Sequence, residues 1–185
     1  DTVSVSGADR LDPAELRSAS GIATGDHLVL VDLAAARDRL RALPMVAAAS
    51  VQRQWPDTVR IAVVEEVPRL QVRAGDAVRT VSTTGRFLPD DLDGVDDLPE
   101  LEVTDASLLS ADSLPDALRP ALVVFDRVPG SLRDALSVAR IDSDGALSFA
   151  LPDDAAIAFG PVEDVPAKLV AIQSFLEQVD LTCLD

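Results

Sequence analysis

The chain has 185 residues, 48% of them hydrophobic and 26% charged, with only 3% aromatic and no tyrosine. That supplies a core of Val, Leu, Ala and Ile for one large domain or two small ones, and it excludes a chain disordered throughout. A net charge of -16 argues against a nucleic-acid partner, because neutralising phosphates needs a basic face.

The charge is unevenly placed. Residues 1–70 hold 10 acidic and 8 basic groups, a net of -2, whereas residues 71–185 hold 22 and 8, a net of -14. Such a step points to two domains with different surfaces. With Cys183 the only cysteine, no intrachain disulfide is possible. No apolar run reaches the roughly 18–20 residues that cross a bilayer, and no basic-then-apolar leader opens the sequence. The sequence begins at Asp1 without a methionine, so a fragment or processed form is expected, with a membrane anchor left off.

The first 70 residues are the most legible. Val3 and Val5 alternate with Ser4 and Ser6 before Gly7, which predicts a short strand and turn. Asp12, Pro13 and Glu15 then read as N-cap, N1 and N3 of a helix, with Leu11 and Leu16 placed as a hydrophobic staple. Gly21 ends this helix, Gly25 marks a turn and residues 28–31 look strand-like. A second helix starts at Asp32, with Leu33, Ala36, Leu40 and Leu43 on one face, and Pro44 stops it. Residues 46–53 and 58–67 read as strands around a Gln54-Trp55-Pro56-Asp57 turn, with Val59, Ile61 and Val63 on the buried side. Strand, helix, helix, strand, strand makes a compact α+β unit.

Beyond Pro68 the signals weaken. Residues 78–81 and 87–88 flank Thr84-Gly85 as a predicted hairpin. Residues 89–105 carry eight acidic groups and no basic one, and read as a solvated loop. Helical patterns are expected near 114–128 and 131–138, and strands near 139–141, 146–151 and 155–159. A last helix is capped by Asp164, with Leu169, Ile172, Leu176 and Val179 as its buried stripe, and residues 181–185 read as a final strand.

Little here suggests chemistry. His27 is the only histidine and reads as exposed or capping, since no Gly-x-Ser-x-Gly accompanies any serine. Cys183, alternating with Leu181, reads as a small buried hydrophobe. One His and one Cys do not make a zinc site. Asp91, Asp93, Gly94 and Glu100 fall at calcium-loop offsets, but Pro89 at the first position offers no side-chain oxygen. No metal, cofactor or catalytic residue is expected.

One combination of motifs is specific. It comprises Val3, Val5 and Gly7; Gly21-Ile22; Leu43-Pro44; Arg53, Trp55 and Pro56; Glu65 and Pro68; and Val81, Gly85 and Phe87. In this order, over residues 3–88, it resembles the extracytoplasmic part of the FtsQ/DivIB family of bacterial cell-division proteins. The resemblance implies an α+β fold, with a POTRA domain over residues 1–72 and a β-rich domain of mixed sheet with flanking helices over 73–185. It implies a non-enzymatic scaffold of the division machinery, outside the cytoplasmic membrane at the septum and anchored by a single N-terminal transmembrane helix. FtsB and FtsL are the implied partners, with FtsK, FtsW and FtsI further ones. The implied partner-binding residues are Val51 and Arg53 in the first domain, and Arg140, Lys168, Leu181, Thr182, Cys183, Leu184 and Asp185 in the second. The other readings are a POTRA-type module of an outer-membrane assembly or secretion protein, a standalone acidic enzyme, and a structural spacer. Arg53 is expected to be exposed at its strand end, so that changing it should move stability by less than about 0.5 kcal/mol.

Overall fold

The computed structural model describes residues 2–142, 146–151 and 155–178, which form two compact units, Asp1–Val67 and Pro68–Asp185. The division falls at Val67 rather than at residue 72. Pro68–Ala74 is itself a strand of the second sheet, and a boundary at 72 would cut it.

In the first unit the predicted order holds. It runs β1 (Thr2–Ser6), α1 (Pro13–Ser20), α2 (Leu33–Arg41), β2 (Val46–Gln54) and β3 (Thr58–Glu65). The caps act as their sequences require: the Asp12 carboxylate accepts from Ala14 N, and that of Asp32 from Ala34 N and Ala35 N. β1 runs parallel to β3 and β2 antiparallel to it, giving the order β1-β3-β2. Val59, Ile61 and Val63 turn inward onto Leu16, Ala36 and Leu40, one core shared by sheet and helices. Glu65 accepts hydrogen bonds from the backbone N–H groups of Asp9, Arg10 and Leu11, so a carboxylate at the end of β3 ties down the β1–α1 loop. Residues 28–30 are not a strand but a 3₁₀ turn, with Leu28 and Val31 buried on either side of exposed Val29 and Leu30.

The second unit is a six-stranded mixed sheet in the order β5-β4-β6-β7-β8-β9. The strands are β4 (Pro68–Ala74), β5 (Ala77–Ser82), β6 (Glu100–Glu102), β7 (Val138–Ile141), β8 (Leu147–Ala150) and β9 (Ala156–Gly160). The helices α3 (Arg119–Arg127) and α4 (Val165–Gln178) contribute Leu122, Phe125, Leu169 and Ile172 to a core with Leu70, Val72, Leu101 and Phe149.

Two expectations fail in this unit, and one strand is unpredicted. The acidic stretch is not all loop: it supplies β6, which pairs in parallel with both β4 and β7 and buries Leu101 completely. Residues 131–138 hold a short 3₁₀ turn (Gly130–Leu132) and then lead into β7, because Leu132 and Leu136 are drawn into the sheet core instead of forming a helical stripe. β4, over residues for which no element is predicted, is an interior strand with alternating burial along Leu70, Val72 and Ala74. The last helix lies as expected, with Leu169 and Ile172 buried and Leu176 packed against the core. Val179 and the strand expected at residues 181–185 lie outside the described residues.

Candidate functional site

The pleat sends alternate residues of β4, β6 and β7 to opposite faces, and only one face carries α3 and α4. On the other, the parallel register sets Arg73 opposite Glu102, and Glu102 opposite Arg140. The antiparallel strands continue that line, Arg140 opposite Ser148 and Ser148 opposite Ala158. One row thus crosses five strands, charged at one end and small and uncharged at the other. A cleft of about 670 Å³ lies along it at the carboxyl ends of β4, β6 and β7; all five of these residues line it, with Val103, Ile141 and Leu147.

The charges in the row are paired. Arg73 binds Glu100 through two contacts of 2.7 Å, and Arg140 donates to Glu102. The hydrogen bond to Glu100, and then the attraction of its carboxylate, holds the Arg73 guanidinium above its usual range. Arg140 is 56% exposed, and exposed pairs of this kind contribute at most about 1 kcal/mol to folding. The Arg140–Glu102 pair therefore adds little to the stability of the fold. Glu100, the last position of the calcium-loop spacing, is committed to Arg73. Among the described residues no group of three or more His, Cys, Asp or Glu could hold a metal ion. Asp105, just past β6, caps a 3₁₀ turn (Ala106–Ser110), and its hydrogen bonds with Ser107 hold its carboxyl below its usual range. A lowered folded-state pKa means that this cap is formed at neutral pH and is lost as pH falls through that value.

The structure separates the other predicted residues by what they touch. Lys168, in the first turn of α4, donates to Phe159 O (3.0 Å) and Pro161 O (2.6 Å) and lies over the Phe159 ring, so its ammonium holds the helix to the end of β9. Val51 is only 9% exposed, and β2 is an outer strand of its sheet, so the strand edge rather than this side chain is what a partner would meet. Leu181, Thr182, Cys183, Leu184 and Asp185 lie outside the described residues.

Arg53 is exposed, but it is not idle. Its guanidinium donates to the carbonyls of Leu28 (2.7 Å), Val29 (3.3 Å) and Val31 (2.6 Å), clamping the 3₁₀ turn to the end of β2. The expectation of a negligible effect on stability is therefore replaced. Arg53→Glu should destabilise the first unit by about 1.5–3 kcal/mol, since hydrogen bonds from a charged donor are lost and a carboxylate is set among carbonyls. Urea unfolding of the chain measures it; a midpoint equal to that of the parent chain would contradict the clamp.

The family resemblance drew attention to Arg140 but not to the row in which it stands. Arg73, Glu100 and Glu102 were visible only as members of two alternations, R-L-Q-V-R in β4 and E-L-E in β6. The second is too short to stand out from an acidic run.

Residues 1–66 match the family model of the POTRA domain, FtsQ-type. Over 182 residues the chain is 32% identical to the cell division protein FtsQ of Streptomyces coelicolor, covering 95% of this chain and 69% of that protein. Against FtsQ of Streptomyces griseus it is 34% identical over 178 residues, 91% of this chain and 84% of that one. Among solved structures, the major extracytoplasmic domain of the cell division protein DivIB from Geobacillus stearothermophilus aligns at 16% identity and a TM-score of 0.41, over 61% of this chain and 95% of that chain.

Proposed function

Since this chain belongs to the FtsQ family of cell-division proteins, we propose that it works as a binding hub of the division machinery and performs no chemistry of its own. Its first unit is the POTRA domain, and its second a mixed sheet with flanking helices. In this reading the whole lies outside the cytoplasmic membrane at the septum, held by a transmembrane helix that precedes Thr2. FtsB and FtsL bind the second unit, FtsK engages β2 of the first, and the assembly positions FtsW and FtsI.

The observation that carries the reading is the row across the face of the second sheet opposite α3 and α4. Its end residues Ser148 and Ala158 leave room for a partner backbone, and Arg73, Glu102 and Arg140 offer charges of both signs for orienting it. β9 is the outermost strand among the described residues, next to that open end, and an outer strand can accept a partner strand. Backbone pairing would supply affinity and the charged row direction.

The test is isothermal titration of an FtsB extracytoplasmic peptide into three proteins: this chain, Arg140→Glu, and the chain cut after Val179. Arg140→Glu should weaken binding at least tenfold, about 1.4 kcal/mol, because it places a carboxylate beside Glu102 and reverses the charge offered to the partner. The shortened chain, which lacks the final strand expected at residues 181–185 and its implied partner contacts, should bind more weakly still. Equal affinity of all three folded proteins would sink the proposal.

A further inference from the structure

We propose that the end of the first unit bearing Val29, Leu30 and Trp55 seats in the interfacial layer of the membrane, a role that rests on the anchored reading above. Leu28 to Val31 are four apolar residues in succession, but only Leu28 and Val31 are buried. Val29 is left 68% exposed and Leu30 79%. Arg53 holds the carbonyls of residues 28, 29 and 31, so the turn cannot roll over to hide them. Two residues past Arg53, just beyond the end of β2, stands Trp55, 68% exposed.

The same end receives the start of the chain. Thr2 N donates to Asp57 O at 2.8 Å, and Thr2 pairs with Thr58, so β1 begins beside the Trp55–Asp57 turn. A helix leading into β1 from the bilayer would hold this end close to the lipid headgroups. Tryptophan prefers that layer because its ring is apolar and its indole N–H is polar, while Val and Leu side chains enter the acyl boundary. The charge distribution permits the approach. Residues 1–70 are nearly neutral, and the acidic excess, which an anionic membrane would repel, is carried by residues 71–185.

Trp55 is the only tryptophan, so its fluorescence reports on this end alone. The chain would be tethered by a hexahistidine tag ahead of Asp1 to phosphatidylcholine–phosphatidylglycerol vesicles containing nickel-chelating lipid, with plain or brominated acyl chains. Docking predicts a blue shift, and loss of most of the emission on brominated relative to plain vesicles. The same chain tethered through its C-terminus should keep its emission, and so should a folded Val29→Glu, Leu30→Glu variant tethered at the N-terminus. No quenching of the N-terminally tethered chain would overturn the docking. Undiminished quenching in the double variant would overturn its assignment to this patch, and equal quenching from both tethers its dependence on where the chain starts. Carbonate extraction of the natural full-length protein separates the two readings. Retention in the membrane without quenching refutes the docking alone, whereas release from the membrane refutes the anchor and the docking together.

Discussion

Gly7→Ala is expected to unfold the first unit or leave it close to unfolding at room temperature. Gly7 follows β1 with a φ of +77°, in the left-handed region, where an L side chain costs roughly 1–2 kcal/mol. The strain is the smaller part. A Cβ there would stand 2.1 Å from the carbonyl oxygen of Val63, in the interior of β3, and backbone cannot yield as a flexible side chain can. Relief requires β1 to draw away from β3, which breaks a five-residue parallel pairing and uncovers the core below Val59 and Ile61. The combined loss should be about 3 kcal/mol or more, against the roughly 3–10 kcal/mol that a unit of this size has in total. Gly75→Ala is the control. Its φ of +60° carries the same strain, but no heavy atom lies within 4 Å of the added Cβ, so it should cost only about 1 kcal/mol. Urea unfolding followed by circular dichroism, with amide exchange on β1 and β3, measures both. Equal losses for the two variants would mean that the close approach to Val63 is not what demands glycine.

Phe149→Ala should have the corresponding effect on the second unit. Phe149 is fully buried at the middle of β8, with its ring edge-to-face against Phe125 of α3 at 5.7 Å and Phe159 of β9 at 5.8 Å. In a chain with 3% aromatic residues these three rings join the helix layer to the outer strands. Truncation leaves a ring-sized void and removes both aromatic contacts, for a loss of about 3–5 kcal/mol. Phe149→Leu keeps most of the volume and should lose only about 1–2 kcal/mol. Because Ser148 and the cleft-lining Leu147 precede Phe149 on the same strand, the alanine variant should also loosen the charged row and lose peptide binding in proportion to unfolding. Differential scanning calorimetry would read the loss directly, and a melting temperature unchanged by Phe149→Ala would contradict this packing.

Much of the first unit was legible because its determinants are local. Asp12-Pro13 starts a helix through its own next residues, Gly21 stops it, and the alternation of Val59, Ile61 and Val63 needs only the period of a strand. The motif set from Val3 to Phe87 was enough to point to the family, which the Streptomyces relatives then showed. Failures began where local and tertiary preferences diverge. The residues around Glu100 look like loop by charge, yet Leu101 sits between β4 and β7 because that is where an apolar side chain is covered on both sides. Leu132 and Leu136 show helical spacing, but the sheet core takes them without a helix.

The candidate site divides the same way. The family resemblance drew attention to Arg140, and the Arg53-x-Trp55-Pro56 motif to Arg53. Neither could be assigned its contacts, which lie 38 residues away at Glu102 and 22 to 25 residues away at the carbonyls of Leu28, Val29 and Val31. The amino-acid sequence by itself determined the Asp12 and Asp32 caps, the alternating strands of the first unit and the family, because each depends on groups a few residues apart. Only the tertiary structure decided that Arg73, Glu102, Arg140, Ser148 and Ala158 form one row and that Arg53 is a clamp. A three-residue strand has too little periodicity of its own to declare its neighbours, and its place in the sheet is chosen by the burial of Leu101.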